Sequence, residues 1–571
     1  MFRDVILEKT AFLFGEEKGG ALAEELIALT GKYRALQLSP VEALSEKDAM
    51  LIVYPGQFYN QNATPLACLR EFADTFLKND IPFIHLLPFY PYTSDDGFSI
   101  SDYRAVKLDH GTWDDIARLA EGWRLMFDFV PNHVSSSHPW FQGYLKGEPE
   151  YANYFIEGDP ADPRLAMVMR PRTHPLLTAF ETARGVKHLW TTFSTDQIDV
   201  NFAEPKVFRE VVDTMLFYIA RGATLIRLDA VNFIWKKLGT RCVHLPETHA
   251  AIQILRAVAD EAAPGTVIIT ENNVPHHENI SYFGNGRNEA GMVYQFTLPP
   301  LVLHSFITGD ATRLSDWAGT IQPPSEKATY FNFLASHDGI GVTPVNGILS
   351  PEEIDVMLAA VRDRGGRISY RTDPDGSEAP YEMNISFLSA LSPESDSPVL
   401  AARKITAAFA IAMAMPGIPG IYIHSLVGSR NWQQGLDERG YNRAINREPL
   451  DYAKTAGELT HPSSPRRLVY DSLIALLRRR AVEKAFNPNA SFRVLPVDKR
   501  VFIALRRWKD DAPILSCVNI SPEPVVFSID AAALGGSYSA ATPLTGEGGT
   551  FETGTLRVRL EPYGVLWLKL E

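Results

Sequence analysis

Short apolar runs punctuate this chain, and eight of them read as strands: Met50 to Tyr54, Ile81 to Pro88, Arg124 to Val130, Thr224 to Val231, Thr266 to Glu271, Met292 to Thr297, Tyr330 to Ser336 and Ile418 to Ile423. Between most of them lie segments with apolar residues at helical spacing, such as Leu66 to Asn79 and Val207 to Gly222. Eight strands alternating with helices predict an α/β fold, a (β/α)8 TIM barrel. Before it, ALAEELIALTGKYRAL (Ala21 to Leu36) has the helical period, so residues 1–48 read as a helical extension. The barrel is expected over 49–485, and beyond Phe486 the pattern turns to alternation, as in RVFIALRRW and LRVRLEPYGVLWLKL. Residues 486–571 are therefore expected to form a C-terminal antiparallel β-sandwich.

Two gaps between strands exceed a plain crossover, about 135–204 and about 340–399. Both leave from strand ends, so both are expected to be inserted lid subdomains that overhang a site. The apolar stretch Ile405 to Ile423 is long enough to suggest a membrane span, but PGIPG (Pro416 to Gly420) interrupts it. A helix followed by a buried strand is the expectation there.

Four strands end in polar motifs: LMFDFVPNHVS (Leu125 to Ser135), LIRLDA (Leu225 to Ala230), VIITENN (Val267 to Asn273) and FNFLASHDG (Phe331 to Gly339). The C-terminal ends of barrel strands are where such a fold assembles its chemistry. Asp229 sits two residues after Arg227, so strand alternation turns both to one face. A neighbouring guanidinium is expected to hold Asp229 ionised, as a nucleophile requires. Taken alone, the pair reads equally well as a structural ion pair. Glu271 follows TVIIT with no cation beside it in sequence, which suits a carboxyl kept protonated for proton donation. It could also be a capping residue. His133, His337 and Asp338 stand at strand ends, and SDDGFSISDYR (Ser94 to Arg104) offers Asp95 or Asp96 for hydroxyl groups and Phe98 as an apolar wall.

Composition narrows the class. With 571 residues, 45% hydrophobic and 22% charged, the chain is an ordinary globular protein too long for one compact domain. A net charge of −13 argues against a nucleic-acid partner. The three cysteines, Cys68, Cys242 and Cys517, match no metal-ligand spacing and suit a reducing compartment. MFRDVILEKT has no apolar core of a secretory signal, so a cytoplasmic location is expected. Neither a metal nor an organic cofactor is expected, nor a membrane partner.

DFVPNH, RLDA, the strand ending in Glu271 and ASHD, in that order, resemble the four signature regions of the α-amylase superfamily, glycoside hydrolase family 13. The resemblance implies Asp229 as nucleophile, Glu271 as general acid/base and Asp338 as a third, substrate-distorting carboxylate. It also implies Asp95, His133, Arg227 and His337 as ligands of a glucosyl unit. LPFYPYTSDDGFSISDYRAV, FNFLASHDGIG and AINRE (Ala444 to Glu448) are similar to the sucrose phosphorylase subgroup. Within that subgroup, Ile269 to Ala290 and Arg364 to Ile385 look most like glucosylglycerate phosphorylases. Asn273 and Phe233 stand where sucrose phosphorylases carry His and Tyr, which points away from sucrose as donor.

Arg364, Arg367 and Arg371 flank a Gly-Gly pair in a loop, Arg364 to Gly376, able to present guanidinium groups to a carboxylate or phosphate. A solvated charged loop is the alternative. Tyr370 of the same loop and, by resemblance, Arg447 are further substrate-binding candidates. The expected reaction is reversible phosphorolysis of 2-O-α-glucosylglycerate with retention. Sucrose, glucosylglycerol or sucrose 6'-phosphate as donor, and hydrolysis or transglycosylation, remain alternatives. A non-catalytic barrel, as in the heavy subunits of amino-acid transporters, would lack one or more of these carboxylates. The expected partners are a sugar glycoside and inorganic phosphate, with the protein a monomer or homodimer.

Overall fold

In a computed structural model, which describes residues 2–38, 40–373 and 376–571, eight parallel strands close into a barrel. They are β1 (Met50–Val53), β2 (Phe83–Leu86), β3 (Arg124–Phe129), β4 (Ala223–Leu228), β5 (Val267–Thr270), β6 (Met292–Tyr294), β7 (Thr329–Phe333) and β8 (Ile418–Tyr422). Each pairs with its neighbours in sequence, and β8 returns to β1 through Met50 opposite Gly420 and Ile52 opposite Tyr422. The strands are mostly apolar on both faces because side chains fill the barrel interior while helices cover the outside.

The stretch Ile405 to Ile423 divides as helix Pro398–Ala414 and strand β8. Gly417 makes the turn between them at φ 133°, where a Cβ would press on the Tyr330 carbonyl. Among the described residues no helix is long and apolar enough to cross a membrane.

The chain begins with an antiparallel helical pair, Phe2–Phe14 and Glu16–Arg34. Its apolar faces pack on the barrel helices Pro205–Ala220 and Pro246–Ala262. Phe14 meets Phe208 edge-on at 5.6 Å and reaches Trp235, behind the loop that follows β4, at 6.1 Å. After the barrel, a five-stranded antiparallel sheet and a three-stranded one enclose a second apolar core. Arg506 ties this unit to the barrel by donating to the Ala414 carbonyl at 3.0 Å.

Two excursions leave the C-terminal ends of strands. The one after β3 holds helix Pro139–Leu145, the hairpin of Leu177–Thr182 and Gly185–Trp190, and strand Gln197–Asp199, which pairs with His133–Ser135. The one after β7 holds helix Pro351–Asp363 and the hairpin of Arg367–Thr372 and Glu378–Asn384. Pro374 and Asp375, within the sequence Arg364 to Gly376, lie outside the described residues.

Candidate active site

The barrel ladder runs one residue beyond its strands, and that residue is acidic in two places. Asp229 N–H donates to the Phe129 carbonyl of β3 at 2.9 Å, and Glu271 N–H to the Leu228 carbonyl of β4 at 3.1 Å. Both carboxyl groups are thus anchored through the backbone to the most rigid part of the fold. Ala230 then turns into the left-handed region, φ 46° and ψ 36°, and its N–H donates to Glu271 Oε2 at 3.0 Å. Asp95 and Asp96 also have positive φ, 52° and 47°. Strained non-glycine backbone of this kind persists where the surroundings over-determine it, as at functional sites.

Beneath the carboxyls runs a buried chain of charge. Arg227 Nη1 donates to Asp229 Oδ1 at 2.7 Å and also to Asp128, while Nη2 lies 3.7 Å from Glu271 Oε2. Asp128 Oδ2 accepts from His85 Nε2 at 2.6 Å. Burial opposes ionisation of Asp128, but Arg227 and His85 outweigh it and hold its carboxyl below the usual range.

The same sharing corrects the expectation that Arg227 keeps the Asp229 pKa low. Its charge is divided between Asp128 and Asp229, so burial dominates and pushes Asp229 well above the usual carboxylate range, aided by Glu271. Burial raises Glu271 as well, against the pull of Arg227. The pair therefore titrates as a unit.

Asp338 faces a different environment. Arg443 Nη1 lies 2.7 Å from its Oδ1, and together with Arg227 and Arg447 it overcomes burial to hold Asp338 below the usual range. Arg443 also donates to Glu382, from Nε at 3.0 Å and Nη2 at 2.8 Å, and Glu382 accepts from the Gly339 N–H. His337 stacks on Phe98 with ring centres 4.9 Å apart and planes 5° from parallel. Burial and the nearby arginines push His337 far below its ordinary value, so it is neutral. His133 Nε2 donates to the Phe98 carbonyl at 3.0 Å, and burial lowers it too. Two neutral imidazoles, an aromatic wall and three carboxyl groups suit a polyhydroxylated ring.

Replacing Arg443 by Met is expected to move the acid limb of the pH–rate profile upward, because Asp338 loses the cation that depresses it. The change also strands two buried carboxylates, at a cost of about 3 kcal/mol in stability. A pH–rate series and urea denaturation on the same variant measure both.

One pocket brings together ten of the residues singled out in the sequence: Asp95, Phe98, His133, Asp229, Phe233, Glu271, Asn273, His337, Asp338 and Arg371. Arg227 lies under its floor instead of lining it. The expected roles of four others do not fit their positions. Arg364 donates to the Ala390 carbonyl away from the pocket, and Arg367 is exposed beside Gly366. Arg367 and Arg371 share a strand face by alternation, yet only Arg371 of the three lines the pocket. Tyr370 points to an adjoining groove and accepts from Arg362 at 3.0 Å. Arg447, proposed for phosphate, is buried with Nη1 2.8 Å from Asp96 Oδ2 and Nε donating to the His337 carbonyl, also at 2.8 Å.

Sequence reasoning missed Arg443, Arg172, Gln197 and Tyr381, all of which line the pocket. Arg443 stands four residues before Arg447 in NRAINR, and Arg172 ends the RPR of the first insertion. A basic residue in a proline-rich overhang was the available signal. Among the described residues no group of three or more His, Cys, Asp or Glu is placed to hold a metal ion.

Residues 53–344 match the family model described as the α-amylase catalytic domain. A glucosylglycerate phosphorylase of Spirochaeta thermophila is 47% identical over 91% of this chain and 89% of its own length. One of Escherichia coli is 42% identical over 92% of each. A sucrose phosphorylase of Agrobacterium vitis is more distant, at 32% over 75% of this chain and 87% of its own. Among solved structures, the sucrose 6F-phosphate phosphorylase of Thermoanaerobacter thermosaccharolyticum superposes with a TM-score of 0.73 at 25% identity, covering 84% of this chain and 95% of that one.

Proposed function

The chain belongs to the α-amylase catalytic-domain family, and we propose that it is a retaining phosphorylase converting 2-O-α-glucosylglycerate and phosphate to α-glucose 1-phosphate and D-glycerate. Asp229 attacks the anomeric carbon while Glu271 protonates the departing glycerate oxygen. The resulting β-glucosyl ester is then attacked by a phosphate oxygen, with Glu271 as base, and the second inversion restores the α configuration. His133, His337, Asp95 and Asp338 hold the glucosyl hydroxyls, and Phe98 packs on the ring.

The observation that carries the anionic leaving group is the mouth of the pocket. Arg172 from the first insertion and Arg371 from the second converge there on the buried carboxyls, in a protein whose net charge is −13. Local guanidinium groups of this kind recruit an anion against the overall field. Glycerate as leaving group and phosphate as incoming nucleophile are both anions, and they occupy the same side of the glucosyl unit in turn. Asn273 and Phe233, which line the same pocket, support a donor other than sucrose. The names of the relatives at 42% to 47% identity support the same donor. We place the enzyme in the cytoplasm as a monomer or homodimer. Its three cysteines are free and buried, as a reducing compartment allows.

The test is release of α-glucose 1-phosphate from glucosylglycerate, sucrose, glucosylglycerol and sucrose 6'-phosphate, with free glucose assayed in parallel. Phosphate-dependent release selective for glucosylglycerate is expected. Glucose released without phosphate would make the enzyme a hydrolase.

A further inference from the structure

The buried chain beneath the carboxyl groups ends in a residue that the proposed reaction leaves unused. His85 stands on β2 opposite Met126 in the ladder, and so one step before Asp128 on the same face of β3. Arg227 of β4 stands opposite Asp128 in its turn. None of these three side chains is more than 1% exposed, so what each donates or accepts is settled within the protein.

His85 Nε2 donates to Asp128 Oδ2 at 2.6 Å, and its Nδ1, left as the acceptor, lies 3.5 Å from the Tyr294 hydroxyl. Burial holds the imidazole below its ordinary value against the pull of Asp128, so it is a neutral donor. Asp128 therefore has one oxygen for each neighbour, Oδ2 for His85 and Oδ1 for Arg227. Arg227 uses the same Nη1 for Asp128 Oδ1 and Asp229 Oδ1, and its Nε is buried with no hydrogen-bond partner among the described residues. A guanidinium with a spare N–H beside a carboxylate with a spare oxygen closes into a two-bond fork, the strongest pairing open to them. His85 prevents this by occupying Oδ2, to which no other group among the described residues donates.

We propose that His85 is a positioning residue for the nucleophile: it holds the second oxygen of Asp128, so that Arg227 stays divided and keeps one N–H on Asp229. The proposal rests on the reading of Asp229 as nucleophile. Without the imidazole, Arg227 turns into a fork with Asp128 and withdraws from Asp229, which then meets burial with less relief and takes up a proton at higher pH. The other titratable groups around the chain are Glu271 after β5, Tyr294 on β6, and His337 and Asp338 after β7. All of them remain when His85 is replaced, and exchanging a neutral imidazole for a neutral side chain changes no formal charge.

The rate of the first step with an α-glucosyl fluoride, which departs without a proton from Glu271, is measured against pH in the full-length protein. His85→Leu should move the acid limb up by about one unit and lower kcat for glucosylglycerate about tenfold, with KM within about twofold. His85→Gln, whose amide Nε2 takes the place of the imidazole N–H, should restore both. In an Asp128→Asn background, adding His85→Leu should leave the limb where it was, because no carboxylate competes there for Arg227. His85→Asn, too short to reach Asp128, should reproduce the upward shift and serves where His85→Leu fails to fold. An acid limb unmoved in the folded variant, one that His85→Gln does not bring back, or a shift that persists in the Asp128→Asn background overturns the proposal. Failure of the nucleophile reading looks different: the unsubstituted enzyme would then form no glucosyl-enzyme burst with the fluoride, whatever stands at position 85.

Discussion

Asp229→Asn is expected to lower kcat by about 10⁴-fold or more, with the fold intact and the melting temperature unchanged or raised. The loss is large because the amide cannot form the glucosyl ester, and no second carboxylate is placed to replace it. Glu271 is held by the Ala230 N–H and is needed for proton transfer, while Asp338 is tied to Arg443. The stability half of the prediction follows from the sign of the pKa shift. Asp229 has a folded-state pKa raised above its unfolded value, so its contribution is fully present below the unfolded pKa and is lost as pH rises through the folded one. At neutral pH the buried carboxylate is a cost, which asparagine removes. Arg227 is not orphaned by the change, because Asp128 still accepts from it. Single-turnover rates and thermal unfolding decide it, and wild-type turnover in this variant would overturn the assignment of the nucleophile.

The residues that were legible in the sequence share one property: their position is set by the barrel itself. Asp229 and Glu271 follow their strands immediately and are hydrogen-bonded into the ladder, so an apolar run ending in an acid locates them without knowledge of any loop. His133, His337 and Asp338 obey the same rule within a few residues. The eight strands were readable because burial on both faces keeps polar positions few, with His85, Asp128, Arg227 and Asn332 as exceptions.

The acceptor side was not legible in the same way. Arg172, Arg371 and Tyr381 come from two long insertions, and which arginine of Arg364, Arg367 and Arg371 lines the pocket depends on how the hairpin of Arg367–Thr372 and Glu378–Asn384, with its register shift between Ser369 and Tyr370, lies over the barrel. A cluster of basic residues in sequence carries no information about that register. Arg227 shows a subtler limit. Its proximity to Asp229 was visible from spacing, but its sharing with Asp128 comes from the next strand, where Asp128 sits opposite Arg227 in the ladder. Arg227 still lowers the Asp229 pKa, but burial outweighs it, with Glu271 and Asp128 adding to the rise.

Glu271→Gln should separate the two steps of the reaction. With glucosylglycerate, whose alkoxide is a poor leaving group, kcat is expected to fall by about 10³-fold, because the first step loses its proton donor. With an α-glucosyl fluoride or nitrophenyl glucoside, which departs without protonation, the first step should survive and the glucosyl-enzyme should accumulate as a burst. The pH dependence gives an independent check. Activity in the unsubstituted enzyme needs the carboxyl pair to hold one proton, on Glu271, with Asp229 ionised. Because burial raises both groups, the acid limb, where the pair takes up a second proton, and the alkaline limb, where it loses its last, are both displaced upward from the ordinary carboxylate range. Glutamine cannot ionise, so the alkaline limb should vanish for the activated substrate. The acid limb should stay close to its original place, since Asp229 already faces a neutral Glu271 there and glutamine is neutral too. A variant that kept the alkaline limb would show that this limb reports the ionisation of a group other than Glu271.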